Sequence, residues 1–179
     1  MRERALRPAW AALLLCSAAA CGPGAAEAPP QVVEAEAEAA EPGAGGTVAD
    51  GALFTCTPTQ LWDGDGPIHC AEGPRIRLAG IAAREMDGSC SPGHPCPEAP
   101  AEAARDHLAG LLGRTTGTGP NGHVLIDGPA LSCVSEGSAG GKRTAAWCAS
   151  PSRGDLSCAM VASGLALRWD RYWRGHSCA

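Results

Sequence analysis

The segment LFTCTPTQLWDGDGPIHCAEGPRIRL, Leu53 to Leu78, decides the fold class. Leu53 to Leu61 runs into the turn formers Asp63-Gly64-Asp65-Gly66, Pro67 to Cys70 follows, and Arg75-Ile76-Arg77-Leu78 alternates polar with apolar side chains. Period-two alternation puts one strand face into a core, and Asp-Gly pairs mark tight hairpin turns. The stretch predicts a meander of three strands.

Downstream, Ala82 to Pro100 is full of Gly, Pro and Ser and holds Cys90 and Cys96. No period survives there, so it reads as a long pinned loop, a kind of segment that often carries function. In Glu98 to Leu112 the residues Ala103, Ala104, His107, Leu108, Leu111 and Leu112 recur at helical spacing, with Pro100 near the start and Gly113 after the end. That pattern predicts the clearest helix of the chain. His123-Val124-Leu125-Ile126 and Ala145-Ala146-Trp147-Cys148 read as strands, separated by the glycine-rich segment Gly137 to Gly141. Asp155 caps a short helix, Leu156 to Ser163, that Gly164 closes. The order predicts a mainly β domain with flanking α-helices, a small barrel with helices outside it.

Upstream, Arg2, Arg4 and Arg7 precede an apolar run from Ala9 to Ala20, the charge order of a signal peptide over residues 1–20. The run is too short to span a bilayer. It ends in Ser17-Ala18-Ala19-Ala20-Cys21-Gly22, small residues before a cysteine as in a bacterial lipoprotein processing site. This predicts a periplasmic or cell-envelope lipoprotein held to the membrane through lipidated Cys21. Ala18 stands where a larger aliphatic residue is usual, so simple secretion is the alternative. Residues 21–51 are Pro, Gly, Ala and Glu with almost nothing to bury, a flexible linker. The linker's Glu27, Glu34, Glu36, Glu38, Glu41 and Asp50 carry most of the net charge of −5. The domain of residues 52–179 has 12 acidic and 11 basic residues. Such a balance excludes nucleic-acid binding by bulk charge and leaves at most a modest, salt-sensitive affinity.

Eight cysteines lie in the domain: Cys56, Cys70, Cys90, Cys96, Cys133, Cys148, Cys158 and Cys178. In an exported chain an even set predicts disulfides, in one of about 105 pairings. A zinc site would show cysteines two residues apart, and none do. His69, His94, His107, His123 and His176 are scattered without ligand spacing and are assigned to no metal. The tail from Arg168 to Arg174 interleaves basic and aromatic residues, a composition that can stack bases. Its preferred reading is structural, with Trp169, Tyr172 and Trp173 laid on the domain and Cys178 fastening them.

Together, Asp63-Gly64-Asp65, Arg77-Leu78-Ala79-Gly80-Ile81, Glu85, the helix, Arg143-Thr144-Ala145-Ala146 and the run from Asp155-Leu156 to Gly164-Leu165-Ala166 resemble the staphylococcal-nuclease-like (thermonuclease) family. The resemblance implies a five-stranded OB-fold barrel over most of Phe54 to Leu167. It also implies a nuclease, a hydrolase of phosphodiester bonds in DNA or RNA, in which Asp65 ligates Ca2+, Glu85 directs water, and Arg77 and Arg143 hold phosphate. Arginine suits that task because its planar fork stays charged and donates two parallel hydrogen bonds. The chain departs from the family pattern at Ala82, where a second metal carboxylate is expected, at Gly66, at Gly141-Lys142 and at Arg84. Two functions follow: a weak calcium-dependent nuclease, and a non-catalytic module that binds an anionic ligand or a partner protein. A disulfide-rich spacer without ligand is the third.

Overall fold

The computed structural model describes residues 46–178; the leader, Cys21 and the linker up to residue 45 lie outside the described residues. Strands β1 (Leu53–Cys56), β2 (Pro58–Leu61), β3 (Ile68–Cys70), β4 (Arg75–Leu78) and β5 (Ile81–Ala82) come first. Helix α1 (Ala101–Leu112) is followed by β6 (Arg114–Thr118), β7 (Val124–Asp127), β8 (Leu131–Ser138), β9 (Thr144–Ser150) and β10 (Gly154–Asp155). Helix α2 (Leu156–Ala162), β11 (Leu167–Arg168) and α3 (Asp170–Trp173) complete the chain.

Local chemistry accounts for these elements. In α1 the spacing of Ala101, Ala104, Leu108, Ala109 and Leu112 puts all five on the buried face, and the Gly113 N–H closes the end on the Ala109 carbonyl. Burying Leu108 and Leu112 contributes about 1.5–3 kcal/mol each. The Asp155 carboxylate accepts from the Cys158 N–H and so caps α2. In β9 the buried residues Thr144, Ala146, Cys148 and Ser150 alternate with half-buried ones. Ahead of β1, Val48 is buried, its N–H donates to Thr144 Oγ1 at 2.9 Å, and its carbonyl accepts from Ser135 Oγ at 3.0 Å.

The strands hydrogen-bond in the order β1-β8-β9-β4-β3-β2-β7-β6, with β10 also on β9; β5 and β11 form a separate two-stranded sheet. Pairing is antiparallel except between β4 and β9, which run parallel. The five-stranded OB-fold barrel is therefore corrected. The sheet has nine strands and is open and mixed, ending at β1 and β6. Two features work against a closed five-strand ring. The segment read as one strand, Leu53 to Leu61, splits at Thr57, sending β1 to β8 and β2 to β3 and β7. The fully exposed β6 then adds a further edge on β7.

The eight domain cysteines pair as Cys56–Cys70, Cys90–Cys96, Cys133–Cys148 and Cys158–Cys178. The disulfide expectation holds, and none of the eight is left as a thiolate for zinc. Cys133–Cys148 joins directly opposed residues of β8 and β9, while Cys158–Cys178 ties the C-terminal tail to α2. Trp173 of that tail is buried in the core. Among the described residues, no helix is long and apolar enough to cross a membrane.

Candidate functional site

The turn at Asp63 to Gly66 is buried, unlike most Asp-Gly turns. A Cβ on Gly64 would lie 2.5 Å from the Ala104 Cβ of α1, and one on Gly66 would lie 2.4 Å from the Ile76 carbonyl. The two glycines let this turn press into the domain and carry both carboxyls inward. Asp63 Oδ1 accepts from the N–H groups of Asp65 and Gly66 at 3.1 and 2.9 Å, the local bonding by which aspartate forms turns. Burial, with the Asp65 charge beside it, pushes the Asp63 carboxyl up to about 8.

Asp65 is fully engaged. Arg77 Nη1 donates to Oδ1 at 3.0 Å, Arg77 Nη2 to Oδ2 at 2.9 Å, and the Ala83 N–H to Oδ2 at 2.9 Å. Burial pushes this carboxyl upward against the pull of the guanidinium and the Ala83 N–H. Ala82 is fully buried and brings no carboxylate.

Asp65, Arg77, Glu85 and Arg143 line one cleft of about 610 Å³, together with His94, Glu136, Trp169, Tyr172 and Arg174. Glu85 comes from the long loop, where its Oε1 accepts from Ser91 Oγ at 2.6 Å. The loop is pinned by Cys90–Cys96 and by Arg84, which donates to the carbonyls of Gly88 and Pro97, each at 2.7 Å. Arg143 stands at the start of β9 and donates only to the carbonyls of Gly140 and Ala139, at 3.2 and 3.3 Å. It has no carboxylate partner among the described residues, whereas Arg77 pairs with Asp65 and Arg174 with Glu136.

Trp169 and Tyr172 line the same cleft, with the Arg77 guanidinium 5.8 Å from the centre of the Trp169 ring. Trp169 packs on His94 with ring centroids 4.1 Å apart and meets Tyr172 edge-on at 4.5 Å. Burial and the Arg77 charge hold the His94 imidazole below its ordinary value. Trp173, buried in the core, and Cys178, bonded to Cys158, take the structural role expected of the tail, while Trp169 and Tyr172 also line the cleft, a place not expected from the sequence. The interleaved Arg and aromatic residues from Arg168 to Arg174 were the available signal.

A second cluster, Asp155, Cys158 and His176, brings three ligand-type atoms within 4.8 Å of one another. Cys158 is disulfide-bonded to Cys178, so its sulfur is no thiolate. His176 instead pairs with Asp155 at 3.0 Å and stacks on Trp147 at 3.8 Å, which fixes the tail.

The chain matches no family model, no curated protein and no solved structure. The thermonuclease resemblance is therefore unsupported, and the open, disulfide-rich sheet speaks against it. The nuclease expectation is corrected with it, for a reason visible in the cleft. Arg77, implied to hold phosphate, is neutralised by Asp65, and Asp65, implied to hold the metal, has both oxygens committed. Calcium takes about six to eight oxygen ligands. The residues do not fit it, because Asp65 is spent on a guanidinium and position 82 is alanine.

Proposed function

We propose that the cleft is a non-catalytic receptor site for a small zwitterion carrying a flat apolar group, of the amino-acid class. The carrying observation is that Arg143 and Glu85 line one cleft and neither has an ionic partner among the described residues. An anion alone would leave Glu85 uncompensated, and a cation alone would leave Arg143 so. A ligand carrying both charges satisfies the pair. Arg143 takes the carboxylate through its planar fork. Glu85 takes the ammonium, and Trp169 with Tyr172 receives the apolar group, a division typical of small-molecule clefts. The four disulfides suit an oxidising compartment, in keeping with export as an envelope lipoprotein or secreted protein.

Calorimetry of the full, oxidised chain with L-phenylalanine tests this reading. One saturable site that Arg143→Ala and Glu85→Gln each abolish supports it. No binding by the folded chain overturns it, and so does equal affinity for 3-phenylpropanoate, which lacks the ammonium.

A further inference from the structure

Away from the cleft, His69 and His123 face each other on the surface of the sheet. His69 lies on β3 opposite Gln60 of β2, and His123 directly precedes β7, whose Val124 is registered opposite Leu61. Gln60 of β2 and Trp62, the residue after its end, project to one face, since alternate residues of an extended chain share a face. That arrangement sets His69 and His123 side by side over β2, with ring centroids 5.1 Å apart. Trp62 packs on His123 at 5.0 Å. A tight turn holds the His123 backbone: the Gly119 N–H donates to its carbonyl at 2.8 Å and the Gly122 N–H to the Gly119 carbonyl at 3.0 Å.

The His123 Nδ1 is buried and has no hydrogen-bond partner among the described residues. Buried side-chain nitrogens are rarely left so, and an ion is one of the few explanations for such an orphan. The spacing fits that explanation. An imidazole nitrogen bonds a divalent metal at about 2.0–2.1 Å, so two imidazoles on one tetrahedral ion hold their centroids about 5 Å apart.

We propose that His69 and His123 form a two-histidine site for a divalent late first-row metal. Imidazole suits copper, nickel and zinc, and affinity rises along the series to Cu2+, which makes Cu2+ the natural probe. The two rings supply two of the ion's ligands. Neither histidine lines the cleft, so this site is independent of the receptor reading. The scattered positions 69 and 123 hid it in the sequence, because only the β3-β2-β7 pairing brings them together.

The test is a Cu2+ titration of the full, oxidised chain, followed by calorimetry and by NMR of the histidine side chains. Substoichiometric Cu2+ broadens His69 and His123 together and leaves His94, His107 and His176 sharp. His69→Gln and His123→Gln each remove the calorimetric site, and His176→Gln retains it. Binding that survives both His69→Gln and His123→Gln overturns the proposal. Broadening centred on any other histidine, or no saturable binding by the unsubstituted chain, does so as well without relying on the folding of a variant.

Discussion

Arg77 grips Asp65 by both guanidinium nitrogens, at 3.0 and 2.9 Å, with each side chain no more than 13% exposed. Desolvating two charges is costly, and the pair persists because the fork and the Ala83 N–H satisfy both carboxylate oxygens. The same contact withdraws Arg77 and Asp65 from ligand chemistry and leaves Arg143 as the cleft's available arginine.

Breaking that pair from one side strands a buried charge. Asp65→Ala is expected to lower unfolding stability by about 3–5 kcal/mol. Replacing both partners, as Asp65→Leu with Arg77→Met, is expected to restore most of the loss. Urea unfolding measures both; a double variant as unstable as the single one contradicts the argument.

Asp63 makes stability depend on pH. Its carboxyl rises from the ordinary 3.8 to about 8, mainly through burial. Between those values the folded chain holds a proton that the unfolded chain has released. The contribution is complete below the lower value and declines as pH rises through the upper one. Asp63→Asn keeps an oxygen for the Asp65 and Gly66 N–H groups and carries no charge. Its melting temperature should therefore fall less than that of the unsubstituted chain between pH 5 and pH 8; parallel curves contradict this.

Gly80 sits at φ +70°, and a Cβ there would lie 2.3 Å from Trp147 Cη2. Gly80→Ala combines left-handed backbone strain with overpacking, at an expected cost of about 2–4 kcal/mol. Because Trp147 stacks on His176, its fluorescence should shift as well. An unchanged midpoint and spectrum would show that the neighbouring chain yields freely.

The Cys90–Cys96 bridge holds the loop that presents Glu85 and His94. Removing it as the Cys90→Ser, Cys96→Ser pair is expected to cost about 2 kcal/mol or less, since the closed loop is short. Phenylalanine affinity should fall with it. Full retention of affinity would mean that Arg84 alone pins the loop.

Helix α1 was legible because Ala104, Leu108 and Leu112 share a face at helical spacing, and α2 because Asp155 is a good cap. Strand β8 is hard to recognise in the sequence, although Leu131, Cys133 and Ser135 alternate inward. Its inward polar serine and outward Val134 blur the hydrophobic signal. Strand β6 is exposed throughout and carries no pattern at all. Strand count and closure rest on pairings such as Leu53 with Val134, which no local window contains. In the site, Asp65, Arg77, Glu85 and Arg143 were picked out by resemblance and do line one cleft. The pairing of Asp65 with Arg77 was not legible, because it depends on burial of the Asp63 to Gly66 turn against α1.

On the proposed reading, Arg143 and Trp169 receive the carboxylate and the apolar group of one small zwitterion. The measurement is an NMR titration of the full, oxidised chain with L-phenylalanine that follows Arg143 Nε–H and Trp169 Nε1–H together. Both resonances should shift along a single saturable curve, and Glu85→Gln should abolish both shifts. Resonances that stay fixed, or a Trp169 shift that continues without saturation while Arg143 is still, would contradict it.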